Sequence, residues 1–366
     1  MLPWPCAPPL GPAGGRTLLP VQLTTAEPPA GACRGSVPRM ARDAASAPHV
    51  PGDLRHRQRA GLAFATVSAA AFGSSGPMGR ALIDAGWTAG AAVLVRLGGA
   101  AVLLTLLAVA FQREHLRLTW RTSRILLVYG LVAMAGVQLG FFNAVRTLDV
   151  AVALLLEYLA PVLLLAWTSL RTRRRPPTAT LFGAGLTLVG LVLVLDLTGT
   201  DTVDPVGVAW GLFAAVCLAG YFSLSARQDA DLPPLLMAAG GTTVGAVAIG
   251  LAGMVGIVPL GFTTTDTVLA GVAVSWVVPA VWLVVVATAT AYLTGIAGVL
   301  RLGPRAASFV SLSEVLFAIL TAWLLLSQLP GALQLLGGAS ILAGIVVIQR
   351  TERVGEPSPA PPAEAS

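Results

Sequence analysis

Leu154-Leu155-Leu156-Glu157-Tyr158-Leu159-Ala160-Pro161 sets one carboxylate inside a run that is otherwise apolar. The run extends over 150–170. At about 1.5 Å per helical residue it is long enough to cross a hydrocarbon core of about 30 Å. A charge at the centre of such a helix costs roughly 2.5–3.5 kcal/mol on insertion scales for Asp, Lys and Arg. A second glutamate, Glu314, lies in Ser311-Leu312-Ser313-Glu314-Val315-Leu316-Phe317, inside another such run. Acids kept at that cost mark substrate, ion or proton pathways by default, so the two glutamates point to a polar site within a membrane.

Composition agrees. Of 366 residues, 55% are hydrophobic and 11% charged, and mean hydropathy is +0.80; a soluble domain carries about 25% charged residues. All 23 basic residues are Arg. A Walker A loop needs a Lys to reach the phosphates, so a P-loop ATPase is excluded. The net charge of +6 would suit nucleic acid, but most arginines fall at helix ends, where they act as topology signals, and no nucleic-acid partner is expected. Cys6, Cys33 and Cys217 lack metal-ligand spacing, and His49, His56 and His115 lie outside the spans. No cofactor, metal or disulfide framework is expected.

The apolar runs predict an all-α integral membrane protein of ten transmembrane helices, at 60–79, 88–111, 125–143, 150–170, 178–196, 206–226, 234–258, 277–299, 306–326 and 331–349. Residues 1–59 form a Pro- and Gly-rich leader with no signal-peptide core, expected to be disordered. The change of character at Met40 suggests that translation starts there; N-terminal sequencing tests this, and a peptide from 1–39 refutes it. Residues 350–366 are expected to be a disordered cytoplasmic tail. With the N-terminus inside, sixteen arginines fall at cytoplasmic ends, including Arg117, Arg171–Arg175, Arg227 and Arg301, against Arg80 and Arg146 outside. Asp196, Asp201, Asp204 and Asp266 fall in outer loops. This positive-inside bias places both termini in the cytoplasm and the protein in the plasma (inner) membrane.

The two halves correspond. Gly61-Leu62-Ala63-Phe64 opens the first helix and Gly207-Val208-Ala209-Trp210 the sixth. Leu181-Phe182-Gly183-Ala184 in the fifth matches Leu335-Leu336-Gly337-Gly338 in the tenth, with Gly190 and Gly344 each seven residues further on. Two units are read, 60–196 and 206–349. A five-helix unit that starts inside ends outside, so its copy crosses in the opposite sense. The result is a five-plus-five inverted repeat, the symmetry that serves alternating access around a midplane site.

Within that frame Glu157 lies about eight residues into the fourth helix, and Arg96, in Val93-Leu94-Val95-Arg96-Leu97, about nine residues into the second from the same side. Equal depth permits an ion pair or a shared cavity. A carboxylate there lets a proton compete with a cationic or zwitterionic substrate; the plain alternative is a structural pair. Glu314 sits at a mirrored depth. Asn143, Tyr158, Trp210, Tyr221, Thr288, Thr290 and Tyr292 are further candidates for lining a cavity, although Thr and Tyr also serve as interhelical glue. Gly73-Ser74-Ser75-Gly76-Pro77 is expected to break the first helix, and Gly240-Gly241-Thr242-Thr243-Val244-Gly245 to allow close helix packing.

Over about 60–350 the chain resembles the EamA group of the drug/metabolite transporter superfamily. Val150-Ala151-Val152-Ala153-Leu154-Leu155-Leu156-Glu157-Tyr158-Leu159-Ala160-Pro161 is similar to the fourth-helix motif of homoserine/threonine-type exporters, in which a Glu also precedes a Pro by four. Ser311-Leu312-Ser313-Glu314-Val315 followed by Trp323-Leu324-Leu325-Leu326 resembles the second repeat, departing from it in Val315 after the Glu and in Ser327-Gln328 where relatives carry an acid. The resemblance implies a secondary transporter, not an enzyme, with a small-molecule substrate, protons and the lipid bilayer as partners. Proton-coupled export of a small polar metabolite such as an amino acid is expected, with import or drug efflux as alternatives on the same fold. An intramembrane enzyme acting on a lipid-linked substrate is the rival of another class, disfavoured by the lack of HExxH or of any His in a span. A sensor or scaffold would need a cytoplasmic domain.

Overall fold

The computed structural model describes residues 51–115, 119–173, 176–195, 204–225 and 232–354. The leader through residue 50 with its Met40 start, Arg117, Arg174, Arg175, Asp196, Asp201, Arg227 and the tail from 355 lie outside the described residues.

Helix α1 (Pro51–Gly73) runs into α2 (Ser75–Asp84) through Ser74. The expected break comes out as a joint in one long helix that ends at Asp84. Ser74 N–H donates to Ala70 O at 3.1 Å, and Ser74 O accepts from Met78 N–H at 3.4 Å, so the ladder crosses the joint. Pro77 has no N–H to give to Gly73 O, so the ladder is one bond short at the joint, and Gly73 O lies 3.4 Å from Thr321 Oγ1 instead. Then come α3 (Ala89–Phe111), capped by Thr88, and a continuous stretch of α4 (Trp120–Tyr129), a π-helical segment Gly130–Gly136 and α5 (Val137–Ala144). The stretch Val150–Thr172 is split into α6 (Val150–Glu157) and α7 (Ala160–Thr172), because Pro161, at the start of α7, cannot donate back into α6. Glu157 is therefore the last residue of α6.

Helices α8 (Thr178–Val194), α9 (Pro205–Ser225) and α10 (Pro234–Met254) follow. Next is an unanticipated antiparallel hairpin, β1 (Thr267–Leu269) and β2 (Val272–Val274), turned through Ala270 (φ 52°) and Gly271 (φ 78°). Successive positive φ values are what two-residue hairpin turns require. A continuous stretch then joins α11 (Val277–Val284), a second π-segment Val285–Thr290 and α12 (Ala291–Ser311), which kinks at Gly303 (φ 78°). Helices α13 (Ser313–Leu326) and α14 (Ala332–Val354) complete the fold.

Among the described residues eight helical stretches are long and apolar enough to cross a membrane: Ala89–Phe111, Trp120–Ala144, Val150–Thr172, Pro205–Ser223, Pro234–Met254, Val277–Gly303, Ala306–Leu326 and Ala332–Arg350; Thr178–Val194 is a shorter apolar helix. The protein is a helical, multi-pass membrane protein. Its side bearing Arg59, Arg301 and Arg350 is termed the basic side, and the opposite one the hairpin side.

Packing between early and late spans is reciprocal. Helix α1 lies on α12, where a Cβ on Gly61 would meet Arg301 and Leu302 at 2.8 Å; α9 lies on α5, where a Cβ on Gly140 would meet Ala214 at 3.0 Å. Helix α3 lies on α10. Helix α8 lies on α14 with the four matched glycines in contact: a Cβ on Gly183 would meet Gly344 O at 2.8 Å, and one on Gly190 would meet Gly337 O at 2.6 Å. The run at 240–245 packs as expected, with Gly241 under the Tyr129 ring and Gly245 against Met134 and Leu97.

Candidate functional site

The break at Pro161 leaves Glu157 on the end of α6, facing inward, and the start of α13 brings Glu314 to the same place from the other end of the chain. Both line one internal cavity with Arg96, Gln138, Tyr158, Tyr221 and Gln349. Tyr158 Oη lies 3.4 Å from Glu314 Oε2 and 3.4 Å from Ser311 O, tying the break between α6 and α7 to the start of α13.

Arg96 is buried, at 2% exposure. Its Nε–H donates to Thr288 Oγ1 at 3.0 Å, one Nη1–H to Gln138 Oε1 at 2.8 Å and one Nη2–H to Ala287 O at 3.2 Å. The guanidinium also stacks over Phe142, 5.6 Å from the ring centroid. Both π-segments serve this arrangement. Ala287 and Thr288 lie within the second, and Gln138 follows the first. Of the two alternatives for Arg96 and Glu157, the shared cavity is the one found: the ion pair among the described residues is Arg80–Asp84, at 2.8 Å.

A second cavity shares Phe72, Tyr221, Ser311 and Glu314 with the first. It is walled by Tyr129, Tyr292, Met237 and small residues, and it reaches Pro234 and Leu300 toward the basic side. Tyr292 Oη lies 3.2 Å from Met134 Sδ. Asn143 and Trp210 line neither cavity. Asn143 Nδ2–H donates to Leu139 O at 2.8 Å in its own helix, and Trp210 stacks edge-on against Phe213. Thr290 accepts from Thr294 through its carbonyl, at 2.7 Å.

Gln138 and Gln349 were not singled out from sequence. Each is an amide in an apolar run, Val137-Gln138-Leu139 and Val347-Ile348-Gln349, and that was the available signal. Gln349 lines the first cavity, and its buried Oε1 has no hydrogen-bond partner among the described residues. Among the described residues no cluster of His, Cys, Asp and Glu is able to hold a metal ion.

The EamA-like transporter family profile matches residues 59–196 and again 205–350. YicL of Salmonella typhimurium (strain LT2), described as an uncharacterized inner membrane transporter, is 26% identical over 231 residues, covering 62% of this chain and 73% of its own. A solved structure, described only as the crystal structure of a protein, superposes on 82% of this chain and 99% of its own with a TM-score of 0.48 and 19% identity, too distant to carry an argument. The family profile spans most of the chain, and both glutamates and Arg96 fall inside its two matches: the protein belongs to the EamA-like transporter family.

Proposed function

We propose that this membrane transporter is a proton-coupled exporter of a small polar metabolite such as an amino acid. In this reading it lies in the inner (plasma) membrane with both termini cytoplasmic and is built as a ten-helix, five-plus-five inverted repeat. The observation that carries the reading is Glu157: a carboxylate on the wall of an internal cavity, at a helix break, not paired to the nearby guanidinium. Such a group is able to exchange a proton for a cationic substrate group. The reciprocal packing supports the inverted repeat. The first span of each half lies on the third span of the other, and the fifth lies on the fifth through equivalent glycines, the pattern a two-fold axis generates.

Counterflow in proteoliposomes tests the proton role. Glu157→Gln is expected to lose the response of exchange to an imposed pH gradient. If the variant exchanges normally and keeps the full response, Glu157 does not carry protons. Efflux of a bulkier amphipathic compound is the second reading, favoured by the aromatic wall of the adjoining cavity. Faster counterflow of such compounds than of small polar amino acids would support it.

A further inference from the structure

Arg96 is a buried cation whose bonded partners among the described residues are all neutral. Thr288, Gln138 and the Ala287 carbonyl orient the guanidinium, but neutral acceptors do not cancel its charge, and a buried charge without a counter-ion is costly to keep. Two carboxylates line the same cavity, yet neither is ion-paired with it. One N–H on each terminal nitrogen of Arg96 is left without an acceptor among the described residues. The carboxylates line the same cavity from the end of α6 and the start of α13, as does Gln349, whose buried Oε1 has no hydrogen-bond partner among the described residues. The cavity therefore holds a guanidinium with donors left over and, lining the same space without bonding to it, two carboxylates.

We propose that Arg96 is the seat for an anionic group of the substrate. A carboxylate accepts the N–H groups left over on Arg96, while a cationic nitrogen of the same molecule faces Glu157 and Glu314. The ligand class is a zwitterion carrying both charges. Gln138 and Thr288 are positioning residues: they hold the planar guanidinium so that its remaining donors stay directed at the cavity, which suits the directional fork of Arg for carboxylate. This inference rests on the transport reading above and narrows its substrate.

The full-length protein, reconstituted in proteoliposomes, is given matched sets of compounds in counterflow: L-threonine, L-leucine and L-phenylalanine, the methyl ester of each, and the decarboxylated amine of each. Wild type is expected to exchange at least one free amino acid about tenfold or more faster than its ester and amine, because a site built to bond a group rejects analogues that lack it. Gln138→Glu places a carboxylate on Arg96 from within the protein. It is expected to raise the half-saturation concentration for that amino acid about tenfold while leaving the thermal midpoint of the protein unchanged or higher. Arg96→Lys keeps the charge and loses the fork, and is expected to weaken the amino acid more than its amine. Esters or amines exchanged as readily as the parent acids overturn the seat and leave the exporter reading standing, as does an unchanged half-saturation in a folded Gln138→Glu. If wild type exchanges none of the compounds, the amino-acid reading falls together with the seat.

Discussion

A charge in an apolar run is the easiest thing to see in a membrane sequence, and Glu157, Glu314 and Arg96 were visible for that reason. Whom they bond was not. Arg96 and Glu157 share a depth, which in sequence is compatible with an ion pair, but the guanidinium turns instead to Gln138, Thr288 and Ala287 O. Two of those three partners, Thr288 and Ala287, lie in a π-segment, and composition does not announce a π-turn. Asn143 and Trp210 line neither cavity and find partners locally, at Leu139 O and at Phe213. Thr288→Val follows from the same bonds. It leaves the buried Nε–H of Arg96 unsatisfied, at a cost of about 1–3 kcal/mol. A thermal melt in detergent should show the loss, whereas Thr290→Val, which removes no side-chain bond to Arg96, should melt near wild type.

Helices meet where side chains allow, and α8 on α14 is the closest test. A Cβ on Gly344 would come within 2.5 Å of Gly183 O and also press on Thr187, whereas one on Gly185, two residues along α8 from Gly183, would have nothing within 4 Å. Gly344→Ala should destabilise by about 1–3 kcal/mol, the usual cost of overpacking, and Gly185→Ala should be neutral or stabilising by helix propensity. Equal melting of the two variants would refute the contact. These glycines were legible as repeat marks before any packing was known; that they touch one another was not, because sequence alignment pairs Gly183 with Gly337 while the structure seats it on Gly344. The start of α9 offers a pH test outside the spans. Val206 N–H donates to Asp204 Oδ1 at 3.0 Å, and that bond, then one to Thr147, holds the Asp204 carboxyl below its ordinary range. A lowered folded pKa gives a stabilisation that is complete above the unfolded value of about 3.9 and disappears as pH falls through the folded one. Asp204→Ala should therefore lower the melting point at neutral pH, and the difference from wild type should vanish in strong acid.

At the scale of the whole molecule, the two sides of the membrane are treated unequally. On the hairpin side the two matched regions are laced together: Thr88 N–H donates to Gly261 O at 3.1 Å, Thr88 Oγ1 donates to Pro259 O at 2.7 Å and accepts from Gly261 N–H at 2.9 Å, and Thr263 Oγ1 donates to Ala85 O at 2.7 Å. The hairpin itself is pinned to α2 through Thr267 Oγ1 and Ala81 O, 2.7 Å apart, and to the end of α13 through Ala270 N–H and Leu325 O, at 2.8 Å. Beneath this seal lie the Arg96 bonds and the fully buried Phe142. The cavities run the other way, to Gln349, Leu300 and Pro234 at the basic-side ends of their helices. Alternating access requires one side to be shut while the other is open, and a seal made of a few hydrogen bonds is one that thermal motion and substrate are able to break. Ser75, buried on the cavity wall, reports which side is open. In a background without the three native cysteines, Ser75→Cys should react with a membrane-impermeant thiol reagent supplied from the basic side and resist it from the hairpin side. Adding Thr88→Ala and Thr263→Val removes the side-chain lacing and should raise hairpin-side labelling several-fold, about what a loss of 1–2 kcal/mol from the closed state gives. Equal labelling from both sides before the lacing is cut would show that these bonds do not close the cavity.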